Sequence, residues 1–146
     1  MATSAKVLRW SAADVARVRE QVDAEFQDTF AHMPAFRMAV LSTSDGRALT
    51  GQFAQSGNKD RAAAIVSSIL AICETAGKEF AAGRCTSAIV TAETANVVAM
   101  RVGASSSPFV LAVAMETQVL LGAALRLTAD LGERLAKIVN QEPLAT

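Results

Sequence analysis

The residues able to do chemistry are few, and their spacing does not gather them. One histidine, His32, stands beside Met33-Pro34 where a first helix should end. A catalytic triad needs a base oriented by a third group beside a nucleophile, and a zinc site needs three or four converging ligands. A lone histidine at a helix C-terminus instead meets the last carbonyls or solvent. The two cysteines, Cys73 and Cys85, are twelve positions apart and fit no C-x-x-C or ligand-pair spacing. Cys73 reads as a small buried hydrophobe.

The segment Gly51 to Lys59 lies between a strand and a helix, as a phosphate loop would. It has five residues between its glycines where that loop needs four, Asn58 separates Gly57 from Lys59, and Asp60 puts a carboxylate where a metal-facing hydroxyl belongs. Asn58-Lys59-Asp60 also lacks the spacer of the guanine-reading Asn-Lys-x-Asp motif, so the segment reads as a capped helix start. Gly103 to Ser107 could offer a backbone nest for an anion but reads as an ordinary polar connector. The acids Asp14, Asp23, Glu25, Asp28, Asp60, Glu74 and Glu79 fall mostly on helix faces expected to be solvated, and none forms a pair on an apolar background. The expectation is therefore no catalytic residue, no cofactor, no metal and no enzymatic activity.

Composition narrows the class further. The chain has 146 residues, 51% of them hydrophobic and 19% charged, which suits one compact domain and excludes a disordered chain. Fourteen basic and fourteen acidic side chains cancel, and a nucleic-acid binder would normally carry a basic excess. Six Phe, one Trp and no Tyr are too few for base-stacking platforms. Met1 to Trp10 has no apolar core of a signal peptide, and no stretch reaches the roughly 20 apolar residues of a spanning helix. The reading is a cytoplasmic protein without nucleic-acid binding or membrane insertion.

The elements that must position any site follow from periodicity. Ser11-Ala-Ala-Asp14 predicts a capping box, followed by Val15, Val18, Val22, Phe26 and Phe30 at helical spacing until Pro34. Phe36 to Thr43 predicts a strand with Phe36, Met38 and Val40 on one face and Ala39 and Leu41 on the other. Asp45-Gly46 supplies the turn into a second strand, Arg47 to Phe53. Because both faces of the first strand are apolar, the sheet should be covered on both sides. Asn58 caps a second helix running to about Ala81, with Gly83 as its terminator. Arg84 to Thr91 and Asn96 to Val102 form a hairpin around Glu93-Thr94-Ala95, and Phe109 to Met115 is the fifth strand. Thr117 caps a last helix closed by Asn140 and Pro143. The order is helix, two strands, helix, three strands, helix: an α+β sandwich around a five-stranded, mostly antiparallel sheet with helices on both faces.

The second helix is apolar over too wide an arc. Ala62, Ile65, Val66, Ile69, Leu70, Ile72, Cys73, Ala76 and Phe80 sweep about 160°, against the roughly 100° stripe needed to pack one face. The surplus is read as the seat of a partner, with deep burial in the core as the other reading.

In this setting the chain resembles the roadblock-type dynein light-chain family. The resemblance rests on Ala39-Val-Leu-Ser-Thr-Ser-Asp-Gly46, the Ala-rich second helix from Arg61, and the strands Ser87-Ala-Ile-Val-Thr91 and Val97-Val-Ala-Met-Arg-Val102. Leu111-Ala-Val-Ala-Met115 leading to Leu121-Gly122 also fits, and the likeness covers about Phe36 to Val139. Ala92-Glu-Thr-Ala-Asn96 and Glu116-Thr-Gln-Val119 depart from loops that are typically more acidic or Asp/Asn-rich in that family. The resemblance implies a roadblock/profilin-like fold and a non-enzymatic homodimer that pairs through its second helix and the edge strand after it. The interface residues are then Ile65, Val66, Ile69, Ile72, Cys73, Ala76, Cys85, Ser87 and Ile89. Such an interface should bury on the order of 1,500 Å² or more.

The family includes dynein subunits, scaffolds for Ras-like GTPases and bacterial regulators of a small GTPase. Ten Arg against four Lys, with thirty Ala, suit a GC-rich bacterial genome and favour the bacterial branch. The implied partner is a small Ras-like GTPase; the alternative is a scaffold in a bacterial signalling complex with a non-GTPase partner, and a small-molecule sensor is a third reading. An activator can supply an arginine finger or reposition groups its GTPase already owns. Arg47, Arg101, Arg126 and Arg134 are the arginines expected at the surface, and nothing in the sequence singles one out.

Overall fold

Reciprocal capping starts the first helix where the sequence places it. In the computed structural model, which describes residues 9–104 and 107–140, α1 spans Ala12–Phe30. The Ser11 hydroxyl accepts from the Asp14 amide at 3.1 Å, and an Asp14 carboxylate oxygen accepts from the Ser11 amide at 3.0 Å. This corrects one expectation: Asp14 is fully buried, because closing the box removes its carboxylate from solvent. Val18, Val22, Phe26 and Phe30 form the buried stripe, and Phe30 stacks on Phe36 with ring centroids 4.3 Å apart.

Strands β1 (Phe36–Thr43) and β2 (Ala48–Phe53) make the expected antiparallel hairpin. Gly46 takes φ +90° in the turn, a conformation that a side chain would strain. Alternation along β1 is interrupted, since the register against the fifth strand slips between Phe36 and Met38. One extra residue in that stretch moves Phe36 to the same core as Ala39 and Leu41, away from Met38. The predicted grouping of Phe36 with Met38 therefore fails at a bulge, a feature invisible to a period-two pattern.

Helix α2 (Lys59–Glu79) is capped by Asn58, whose side-chain oxygen accepts from the Arg61 amide at 3.0 Å. It ends earlier than the glycine suggests. Phe80 is the C-cap, and Ala81 occupies the left-handed region at φ +52°, with Gly83 following at φ +90°. The chain then doubles back beneath the helix, so β3 is short, Ala88–Thr91, rather than starting at Arg84. Strands β4 (Ala95–Arg101) and β5 (Phe109–Glu116) complete the sheet in the order β2-β1-β5-β4-β3, with every neighbouring pair antiparallel.

The last helix, α3, spans Leu121–Val139, and its N-cap is Leu120 rather than Thr117. Thr117 is held in the turn after β5, its amide donating to the Thr94 carbonyl at 3.1 Å. No side chain caps α3, and the Leu120 side chain is 79% exposed. Replacing Leu120 by Ser or Asp should therefore raise stability by about 1 kcal/mol, read as a higher midpoint in thermal unfolding. Pro143 lies outside the described residues.

Both faces of the sheet are covered, as the apolar β1 implies. One core holds Val22, Phe26, Leu41, Phe109, Leu111 and Leu135 between the sheet and the pair α1/α3. The other, smaller core holds Val66, Leu70, Ala88, Ala99, Val110 and Ala112 beneath α2. Small residues on that face let the helix lie close to the strands. The price of this geometry is that α2 buries only Ala63, Val66 and Leu70.

Candidate functional site

With so narrow a buried face, the apolar surplus of α2 lies outside the fold. Ile72 is 68% exposed, Ile65 is 53% exposed, and both project from the side of the helix opposite Val66 and Leu70. Ala64, Ser68, Ala71 and Thr75 fill the same exposed face with small side chains. The hydroxyls there already have partners: Ser68 donates to the Ala64 carbonyl at 2.9 Å and Thr75 to the Ala71 carbonyl at 3.0 Å. Covering this face would strand no donor, so its desolvation cost is low.

The two edges of the sheet differ in the same sense. At β2, Arg19 from α1 donates to the Leu49 carbonyl at 2.9 Å and so occupies part of that edge. At β3, the Ala92 amide bonds the Ala95 carbonyl at 3.1 Å, which fixes the alternation along the hairpin. Val90 and Ala88 then bond inward to β4, and Ile89 and Thr91 direct their amides and carbonyls away from the sheet. The strand Ala88–Thr91 bears no charge, no proline and no lysine, the usual protections of an open edge. Ile89 and Val90 are partly exposed beside it.

Of the nine residues expected to face a partner, Ile65 and Ile72 are exposed on α2, and Ile89 is exposed on the edge strand with its side chain on the α1/α3 side of the sheet. Ile69, Cys73 and Ala76 are half-buried along the flank of α2, and Cys85 and Ser87 are half-buried in the segment before β3. Val66 is only 5% exposed and packs within its own subunit, so it is not available to a partner. Helical spacing alone does not separate Val66 from Ile65; only the position of the sheet does. Cys85 and Ser87 are placed next to the edge strand rather than on it, because the reversal at Ala81 and Gly83 consumes those residues.

The nine residues named from the sequence did not include Val90, and Phe80 entered only as the end of the apolar arc read as a partner's seat. Phe80 is 79% exposed at the end of α2, where its own backbone closes the helix. A helical wheel cannot show that the last apolar residue lies beyond the sheet it would pack on. Near it, an open depression of about 660 Å³ is lined by Glu74, Gly77, Lys78, Ala81, Gly83, Arg84 and Cys85. Burial, with Cys73 and Glu74 nearby, pushes the Cys85 thiol up from its ordinary range, and its sulfur lies 3.4 Å from the Ser87 carbonyl. Such a thiol is a poor nucleophile at neutral pH.

The other chemical groups stay dispersed. Arg101 is not a free surface arginine as expected: it makes a two-point ion pair with Glu74, both contacts at 2.9 Å, and donates to the Ser107 carbonyl at 2.8 Å. The contact ties α2 to the end of β4, and it likewise removes Glu74 from the set of simply solvated acids. Arg134 joins α3 to α1 through Glu25 and Thr29, each at 3.0 Å. Arg47 and Arg126 are exposed, as expected. His32 is exposed just past α1. Among the described residues, no three His, Cys, Asp or Glu side chains are grouped as metal ligands, and no helix is long and apolar enough to cross a membrane.

An α-β-β-α-β-β-β-α chain with α2 alone on one face of an antiparallel sheet has the roadblock/LC7 fold. Solved structures with this architecture include an MglB in a tetrameric arrangement, with 20% identity, a TM-score of 0.71, and coverage of 84% of this chain and 90% of that one. The gliding protein MglB from Thermus thermophilus shares 19% identity at a TM-score of 0.72, covering 86% and 93%. A Roadblock/LC7 domain from Streptomyces avermitilis shares 19% identity at a TM-score of 0.69, covering 79% and 94%. The sequence matches no family model and no curated protein.

Proposed function

We propose that this protein is a cytoplasmic, non-enzymatic homodimer that regulates or adapts a small Ras-like GTPase in a bacterium. The observation that carries the reading is the exposed apolar face of α2 lying beside the unprotected edge β3. A second copy would cover both at once, extending the sheet through Ile89 and Thr91 while Ile65, Ile72 and Phe80 pack across the junction. Likeness in fold to MglB structures supports a regulator of the bacterial roadblock branch over a dynein subunit. Val66 takes no part in this interface. The partner GTPase would bind the dimer outside the paired surfaces.

The test is capture of partners by the full chain from native lysate loaded with GTP or with GDP, followed by hydrolysis assays on any GTPase recovered. A small GTPase held preferentially in one nucleotide state supports the regulator, since a state-dependent partner must sense the switch. Signalling proteins captured equally under both conditions would favour the alternative, a scaffold with a non-GTPase partner.

A further inference from the structure

Charge along α2 is confined to its ends. Lys59, Asp60 and Arg61 occupy the first turn, Lys78 and Glu79 the last, and every exposed residue between Arg61 and Lys78 is uncharged. Glu74, the one charged side chain in that interval, is half-buried and paired with Arg101. Arg61 and Glu79 are both exposed and stand eighteen positions apart. At 3.6 residues per turn that is about five full turns, so the two side chains leave the helix in the same direction, roughly 27 Å apart. They lie at opposite ends of the face that carries Ile65, Ser68, Ile72 and Thr75.

A stripe with a cation at one end and an anion at the other is complementary to itself only when reversed. We infer that Arg61 and Glu79 select the orientation of a second copy, each Arg61 meeting Glu79 of the partner as two α2 helices pack antiparallel. Resting on the homodimer proposed above, this adds the pair that determines its specificity. In the antiparallel arrangement two such pairs flank an uncharged centre, the usual order of apolar core and polar rim. A parallel arrangement would bring Arg61 against Arg61 and Glu79 against Glu79, which like-charge repulsion disfavours. The small residues Ala64, Ser68 and Ala71 allow the helices to approach closely enough for the end charges to meet.

The test uses two full-length variants, R61E and E79R, alone and mixed, with mass measured by sedimentation in low and high salt. Each variant alone places like charges at both ends, so its self-association should be about tenfold weaker than that of the unaltered chain. Mixed, the two variants restore both attractive pairs, and a heterodimer should form at nearly the original affinity. The recovery also proves that each variant is folded. Raising salt from about 0.1 M to about 1 M, which shortens the screening length from about 10 Å to about 3 Å, should shrink the difference. Variants that self-associate as well as the unaltered chain and mix without preference would overturn the pairing while leaving the dimer standing. Failure of the mixture to form heterodimer would overturn it too. An unaltered chain that sediments as a monomer would remove the dimer itself, and the pairing with it.

Discussion

Ile72→Asp should dissociate the proposed dimer while leaving the isolated subunit folded. The side chain is 68% exposed in the single chain, so its loss costs the fold little: the change in unfolding free energy should stay within about 1 kcal/mol. At a two-fold interface the same substitution is made twice. Each isoleucine buried against the partner contributes about 1.5–3 kcal/mol, and each aspartate would leave an unpaired carboxylate among Ile65, Ala71 and their partners. The sum is about 3–6 kcal/mol, or roughly 100-fold to more than 10,000-fold in the dissociation constant. Sedimentation would follow association and circular dichroism the fold. A variant of unchanged mass would remove α2 from the interface. Ile69→Asp is less discriminating, because Ile69 also packs on the inner core of its own subunit.

Gly77→Ala should be destabilising, against the ordinary direction of that change in a helix. Glycine inside a helix usually costs about 0.5–1 kcal/mol relative to alanine. Here a β-carbon on Gly77 would stand 2.4 Å from the Gly83 carbonyl oxygen, a backbone atom that cannot swing aside. The returning segment Ala82–Ser87 would have to lift from α2. The Ala82 amide now donates to the Gly77 carbonyl at 2.9 Å, and that bond would weaken as well. The expected net loss is about 1–3 kcal/mol in urea unfolding. Since the same segment leads into β3, hydrogen exchange should quicken at Ala88 and Val90 before it does in β5. Unchanged or increased stability would mean that the reversal is free to relax.

The pattern of elements was legible because each depends on neighbours in the chain. The Ser11–Asp14 box, the Asn58 cap, the Asp45-Gly46 turn and the apolar runs of β1 and β5 act over a few residues, and all appear in the fold. The excess apolar width of α2 was also present in the sequence, since it requires only the helical period. What sequence could not determine is which part of that width faces inward. Val66 and Ile65 are adjacent and equally apolar, yet one packs on Val110 and Ala112 and the other meets solvent. The deciding factor is the position of a sheet whose strands come from both sides of α2 in the chain.

The same distinction explains the remaining differences. Asp14 and Glu74 look like surface acids until the capping box buries one and Arg101, from a distant strand, engages the other. The Phe36 bulge follows from the register set by β5, and the short β3 from the reversal at Ala81 and Gly83, neither of which a local period encodes. Gly83 looked like the helix terminator, but the first left-handed residue is Ala81, because the chain must turn early enough for Gly83, itself at positive φ, to pass under Gly77. Sequence alone thus determined the elements, their order and the existence of an apolar surplus. Tertiary packing decided which residues form the exposed face, because burial is a property of what lies across from a side chain rather than of its neighbours in the chain.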